Sequence, residues 1–247
     1  MSDLFLRFAG VEKGFGSHKV LRGVNLDVAR GETVVVLGGS GSGKSVLLRH
    51  AVGLFRPDAG QVFVDGVDIS DVEEDDLIET RKKVGMLFQS GALFDSMTVG
   101  ENVSFALLEH TDWDDARIVA RAEEVLHLVE LEGVLDLMPS DLSGGMRKRV
   151  ALARAIALAP AAILYDEPTT GLDPITANTI NHLIRSLQKR LGVTSIVVTH
   201  DIHSAFTVGD RIAFLHDGRI LFQGTTAEAR TAPEPLLRNF LQGGGYA

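Results

Sequence analysis

Cysteine is absent from the 247 residues, which removes disulfides and thiolate metal sites from consideration and leaves the redox compartment open. An excess of positive charge is absent too. The formal net charge is −9, so the chain carries no broad electrostatic footprint for nucleic acid, and no nucleic-acid partner is expected. The opening Met1-Ser2-Asp3-Leu4 lacks a basic region and a long apolar stretch, so no secretory leader is expected. No apolar run reaches the ~20 residues of a spanning helix. The best candidate, Val150 to Tyr165, is interrupted by Arg154 and Pro160. By itself the chain is not expected to cross a bilayer. Internal repeats and low-complexity tracts are missing as well. What remains is 45% hydrophobic, enough to bury a core as one α/β domain with a lobe inserted.

The rest of the chain is organised around Val34 to Ser45. Val34-Val35-Val36-Leu37 is apolar without polar alternation, which predicts a strand buried on both faces of a parallel sheet. Gly38, Gly39, Ser40, Gly41, Ser42, Gly43, Lys44 and Ser45 then fit the phosphate-loop pattern G-x-x-x-x-G-K-[ST]. Val46 to His50 can continue as a helix. Glycine suits a backbone that must curl round phosphate oxygens, because no Cβ blocks the approach and positive φ is open to it. The loop amides then face an anion at the mouth of a helix. Lys44 would reach the β- and γ-phosphates and the Ser45 hydroxyl would hold Mg²⁺. An ordinary flexible glycine loop would share this composition but not the flanking strand and helix.

Upstream, Leu4 to Val28 reads as short strands, clearest at Val24, Leu26 and Val28, with a turn at Lys13-Gly14-Phe15-Gly16. Gln61 to Ile69 alternates around the hairpin turn Asp65-Gly66. Acids from Asp71 to Asp76 followed by Arg81-Lys82-Lys83 have the order that complements a helix dipole, so a solvated helix is expected there rather than a metal site. Val84 to Phe88 is a short apolar strand ending at Gln89. Thr111 can cap a helix in which Ile118, Ala122, Val125, Leu126 and Val129 form one apolar stripe. Residues about 90–141 thus read as a helical subdomain inserted in the nucleotide-binding core of a single domain spanning 1–247. Ala161 to Tyr165 and Ser195 to Thr199 are further buried strands, and Arg211 to Gly224 folds about Asp217-Gly218. Strands separated by helix-length sequence predict an α/β fold: a mainly parallel core sheet with flanking helices, an antiparallel β subdomain and the helical insertion.

Asp166-Glu167 follows a buried strand, as the second half of a phosphate-loop enzyme does. Asp166 would sit near Ser45 and hold Mg²⁺ through water. Glu167 can accept hydrogen bonds from an attacking water, as base or positioner. Two surface acids at a strand end are the plain alternative. His200 follows the strand ending at Thr199, where a neutral imidazole can contact the γ-phosphate and water; a satisfied core histidine is its alternative. Gln89, also at a strand end, can sense Mg²⁺ and the water. Ser143-Gly144-Gly145 is a second anion-binding helix start, with Ser143 as cap and glycine amides free to face phosphate. One nucleotide does not need two cradles on one side. A head-to-tail pair of chains is expected instead, each Ser143 turn covering the partner's nucleotide. Asp173 lies on the turn Thr170-Gly171-Leu172-Asp173 just past Glu167.

The phosphate loop, Gln89, Leu142-Ser143-Gly144-Gly145, Ile163-Leu164-Tyr165-Asp166-Glu167, Gly171-Leu172-Asp173 and His200 occur in the order seen in ATP-binding cassette ATPases. The chain resembles that family over nearly its whole length. The resemblance implies ATP as the nucleotide, with Mg²⁺ held by Ser45, Gln89 and Asp166. It implies that Lys44, Gln89, Glu167 and His200 serve hydrolysis, and that Val46 belongs with the loop residues around the phosphates. Phe15 takes the place of the aromatic that stacks on adenine, where tyrosine is common; a ring face can stack without the hydroxyl. Met146 stands where glutamine frequently ends the signature. Two such domains are implied to close on two ATP molecules and to separate after hydrolysis.

Three readings of function compete: the energy-coupling subunit of a membrane transporter, a soluble cassette protein of DNA repair or translation, and a phosphate-loop kinase or switch. The last has no use for Ser143-Gly144-Gly145 and His200. Repair members resembling this family carry a long coiled-coil insertion and translation members carry tandem cassettes; this chain has neither. Transport is the reading kept. Its implied partners are a second copy of the chain and an integral-membrane permease, with the chain peripheral on the cytoplasmic side of the inner (plasma) membrane. Phe88 to Val99, Met146 to Val150 and Leu236 to Gly243 are similar to the Mla and Mkl group. That likeness implies phospholipid cargo, an Mce-type lipid-binding protein and a small regulatory subunit. Another cargo, such as that of a small-solute importer, is the alternative.

Overall fold

Successive residues of the buried strands face two different cores, and this alternation builds the molecule. The computed structural model describes residues 3–243; Met1 and Ser2, part of the stretch read for a leader, and residues 244–247 lie outside it. In chain order the elements are β1 (Leu4–Phe15), β2 (His18–Ala29), β3 (Thr33–Leu37), α1 (Lys44–His50), β4 (Ala59–Val64), β5 (Val67–Asp68), α2 (Ile78–Lys82) and β6 (Val84–Leu87). Then come α3 (Val99–His110), α4 (Asp115–Leu128), α5 (Gly144–Ile156), β7 (Ala162–Asp166), α6 (Pro174–Leu191) and β8 (Thr194–Thr199). The chain closes with α7 (Ile202–Val208), β9 (Arg211–His216), β10 (Arg219–Thr225), α8 (Thr226–Thr231) and α9 (Pro235–Leu241).

The larger sheet has the order β10-β9-β3-β8-β7-β6, parallel except for the antiparallel edge strand β10. Val34 and Val36 of β3, Leu164 of β7, and Ile196 and Val198 of β8 bury against the antiparallel sheet β2-β1-β4-β5 and helix α1. Val35 and Leu37, Ile163 and Tyr165, and Val197 bury on the opposite face among the helices. A period of two delivers alternate side chains to opposite faces, so a strand covered on both sides reads as an unbroken apolar run. This is the α/β architecture expected from the sequence.

Helices α3 and α4 lie within 90–141, and α5 packs on both. The stripe Ile118, Ala122, Val125, Leu126 and Val129 is buried throughout. Thr98 and Glu101 close a reciprocal cap on α3: the Glu101 amide donates to Thr98 Oγ1 at 3.2 Å and the Thr98 amide to Glu101 Oε2 at 2.7 Å. Two local expectations shift. The cap of α4 is Asp114, whose carboxylate accepts from the Arg117 amide at 2.9 Å, whereas Thr111 ends α3 with its hydroxyl donating to Leu107 O at 2.7 Å. The acidic run starts as turn and irregular backbone, passes through one 3₁₀ turn at Asp75–Leu77, and enters α2 only at Ile78. Two of its acids are drawn off by a cation outside the helix, Asp71 and Glu73 pairing with Arg56 at 3.0 and 3.3 Å, while Glu74 pairs with Arg81 of α2.

Candidate functional site

Four strands deliver the site from their carboxyl ends, where an α/β sheet opens a crevice. Gly38 follows β3, Gln89 lies just past β6, Asp166 ends β7 with Glu167 next, and Thr199 ends β8 with His200 next. In space β8 lies between β3 and β7. His200 therefore arrives between the glycine loop and the acidic pair, although it is last in sequence.

The loop is close-packed. A Cβ on Gly38 would lie 2.2 Å from Leu215 O, and one on Gly43, at φ +103°, would lie 2.9 Å from the Leu21 side chain. Only glycine fits such an approach with such a φ. Gly43 precedes α1, so the amides that follow point into the crevice. Lys44 is 6% exposed, and its ammonium donates to Gly38 O and Gly39 O, both at 2.9 Å. The same Nζ stands 3.4 Å from Glu167 Oε1, so this buried cation and carboxylate neutralise each other. The Ser45 hydroxyl donates to Asp166 Oδ1 at 2.6 Å.

Glu167 adopts a left-handed backbone, φ +48°, an uncommon conformation for a residue with a Cβ. Its amide is committed to Val198 O at 2.9 Å, which anchors the turn to β8. Its Oε2 accepts from Thr170 Oγ1 at 3.1 Å, from Thr199 Oγ1 at 3.4 Å and from His200 Nδ1 at 2.9 Å. The carboxylate is buried and the imidazole exposed at the mouth.

A cavity of about 440 Å³ is lined by Ser40, Gly41, Gly43, Lys44, Ser45, Val46, Gln89, Glu167 and His200, with Val20 and Thr170; Asp166 is not among its lining residues and meets it through the Ser45 hydroxyl. Gly39 enters through its carbonyl on Lys44, and Ser42 is buried within the loop. Phe15 does not line this cavity. It projects from the first hairpin, 46% exposed, with its ring 5.3 Å from Phe55 in an edge contact. Ser143, Gly144, Gly145 and Asp173 do not line it either. They lie beside one another: a Cβ on Gly145 would meet Thr176 at 2.6 Å, and the Thr176 hydroxyl donates to Asp173 at 2.5 Å. That hydroxyl, then the Thr176 amide, holds the Asp173 carboxyl below the usual carboxylate range.

Sequence reasoning missed Lys148, Thr170, Thr199 and Val20. Thr199 is legible in retrospect as the last residue of the strand before His200. Lys148 is not, because a lysine in a run of basic residues reads as solvent-facing. It is 6% exposed and its ammonium donates to the Gln89 carbonyl. Burial pushes its pKa down, while the Asp166 and Glu167 charges pull it up.

Among the described residues no group of three or more His, Cys, Asp or Glu could hold a metal ion alone. A serine hydroxyl and one carboxylate instead fit a cation that keeps several waters and shares its shell with phosphates, as Mg²⁺ does. No helix among the described residues is long and apolar enough to cross a membrane.

Fold and site together define a phosphate-loop nucleotide-binding protein. The profile of the ABC transporter family matches residues 21–170, and the chain belongs to that family. It is an ATP-binding ATPase. It is 42% identical over 234 residues to the probable ribonucleotide transport ATP-binding protein mkl of Mycobacterium leprae, an alignment covering 95% of this chain and 67% of that protein. It is 41% identical over 228 residues to the intermembrane phospholipid transport system ATP-binding protein MlaF of Escherichia coli K12, covering 92% of this chain and 85% of that one. The chain thus spans about two thirds of the length of the mkl relative. A dimeric ATP-binding cassette solved in a post-hydrolysis state with ADP and Pi superposes with a TM-score of 0.82 at 36% identity, covering 89% of this chain and 98% of that one.

Proposed function

We propose that this chain works as one cassette domain whose copies pair head to tail, sealing two ATP molecules at their seam and driving a membrane permease. One observation carries the pairing. Ser143, Gly144 and Asp173 stand together at the surface, and none of them lines the cavity of Lys44 and Glu167. A helix start led by an exposed serine and a half-buried glycine, lying away from the chain's own phosphate-loop cavity, suits the phosphates bound by a second copy.

Within each site the loop amides and Lys44 bind the phosphates, and Phe15 stacks on adenine. Ser45, Asp166 and Gln89 would hold Mg²⁺, which when bound would neutralise charge on the phosphate oxygens. Glu167 accepts the proton or hydrogen bond of the attacking water at its carboxylate, and His200 fixes that carboxylate through Nδ1. Residues about 90–141 serve as the helical subdomain. The permease docks in the groove of about 600 Å³ between this part and the large sheet, where Ile78, Phe94 and Phe105 stand exposed.

The cargo we propose is phospholipid, supported by the 41% identity to the ATP-binding protein of an intermembrane phospholipid transport system. The partners are then the permease, an Mce-type lipid-binding protein and a small regulatory subunit, with the chain on the cytoplasmic face of the inner membrane. The test is copurification with a membrane permease, followed by ATP-dependent transfer of labelled phospholipid between vesicles by that complex. Transfer abolished by Glu167→Gln supports the reading. A complex that leaves lipid in place and moves a small solute overturns the cargo.

A further inference from the structure

Helix α5 sends two cations into the loop that leaves β6. Lys148 donates its ammonium to the carbonyl of Gln89, and Arg154 donates through Nη1 to Ala92 O at 2.8 Å and through Nη2 to Gly91 O at 2.9 Å. Gly91 and Ala92 both take left-handed φ, +81° and +49°. The turn is a conformation that alanine alone disfavours, and it keeps its shape while its carbonyls are held. The Gln89 end of this loop lines the nucleotide cavity, and Ala92 lines the apolar groove on the other side, together with Arg154.

Lys148 is the unusual member. Removing an ammonium from water costs several kcal/mol, so its burial needs strong acceptors in fixed places. Its ammonium donates to a main-chain carbonyl, that of Gln89, a residue that lines the nucleotide cavity. A charge-assisted bond to a carbonyl is short and directional, and it fixes the peptide that carries the Gln89 side chain.

We infer that Lys148 is a positioning residue for hydrolysis: by holding the Gln89 main chain to α5 it sets the Gln89 side chain in the nucleotide cavity. Arg154 pins the far end of the same loop. Helix α5, which Ser143 caps, is then the rigid carrier of Gln89. The inference rests on the proposed role of Gln89 at the Mg²⁺ and the water.

The test uses the full chain and measures steady-state ATP hydrolysis against ATP and, at fixed ATP, against Mg²⁺, with a thermal scan of each variant. Lys148→Met should lower kcat about ten- to a hundredfold with KM for ATP within about twofold, because misplacement rather than lost binding is the defect. Its half-saturating Mg²⁺ concentration should rise, and Lys148→Arg, which keeps a charged donor, should recover most of the rate. Should Lys148→Met lose its folded transition, Lys148→Gln replaces it in the same comparison. Wild-type kcat and Mg²⁺ dependence in Lys148→Met overturn the inference, and so does an equal loss in Lys148→Arg. Gln89→Ala separates the two levels. If it is slow while Lys148→Met is normal, this inference alone fails; if Gln89→Ala is itself normal, the role of Gln89 fails with it.

Discussion

His200 Nδ1 lies 2.9 Å from Glu167 Oε2, although the two residues follow different strands. A carboxylate only accepts, so Nδ1 must carry the proton, and in a neutral ring Nε2 is left as an acceptor. In that form the ring can receive a hydrogen bond from water at the cavity mouth. To donate to a phosphate oxygen while keeping Glu167, it must be the imidazolium. The same carboxylate faces Lys44 through its other oxygen, so Glu167 is held at both ends before any water reaches it.

Glu167→Gln keeps the size of the side chain and its place near Lys44, Thr170 and His200 but removes the proton acceptor. It should bind ATP, form a stable ATP-dependent dimer and hydrolyse about a hundredfold or more slowly. Phosphate release and gel filtration with ATP measure both effects. Wild-type turnover would remove Glu167 from the proposed role.

Lys44→Ala deletes a cation that serves the loop carbonyls and Glu167 together. ATP affinity should fall on the order of ten- to a hundredfold, the value of one charge-assisted contact. Glu167 then keeps its hydroxyl and imidazole partners but loses its counter-charge. Stability should fall by on the order of 3 kcal/mol, the low end for breaking a buried pair. Titration with a fluorescent ATP analogue and chemical denaturation check the two numbers. Unchanged stability would show that the 3.4 Å pair contributes nothing.

Ser143 is exposed, and its structural duty is one cap bond, the Met146 amide donating to Oγ at 3.2 Å. Ser143→Arg should therefore cost only about 1 kcal/mol of stability. Placed in the Glu167→Gln background, it should abolish the ATP-dependent dimer while leaving nucleotide binding by the single chain intact. A dimer of undiminished strength, seen by light scattering, would sink the head-to-tail arrangement.

Asp58 braces the hairpin that carries Phe15: it accepts from Lys13 Nζ and from the Gly14 amide, both at 2.7 Å. The Lys13 ammonium first, and the amide second, hold its carboxyl below the ordinary range. A depressed folded pKa means that the folded chain binds fewer protons near the unfolded value. The stabilisation is present above about pH 4 and is lost as pH falls through the folded value. Asp58→Asn should lower Tm at neutral pH and show a shallower loss of Tm than the wild type below about pH 4. Parallel Tm curves would contradict this. With Phe15 as the adenine platform, the KM for ATP should also rise.

Much of the fold is legible because its signals are local. Val34 to Leu37, Ile163 to Tyr165 and Ser195 to Thr199 read as buried strands from their near-continuous apolar runs, and the α4 stripe reads as a helix face from its spacing. Capping was less legible. Thr111 and Asp114 are both good caps, and the choice was made when the Thr111 hydroxyl turned back to Leu107 O. The acidic run misled for a related reason, since Arg56 binds Asp71 and Glu73 from outside the segment. Lys148 was invisible because helical spacing does not say what covers a given face.

The sequence by itself determined the glycine loop, the acidic pair, the signature turn and the element types around them, since propensity, spacing and side-chain chemistry act over a few residues. Only the tertiary structure decided that β8 inserts between β3 and β7 and carries His200 to Glu167. It alone decided that Lys148 turns inward to Gln89 and that the Ser143 turn stands apart from its own chain's cavity. Those outcomes depend on which faces bury against each other across the whole chain, a choice made by packing and by satisfying buried charge, not by neighbours in sequence.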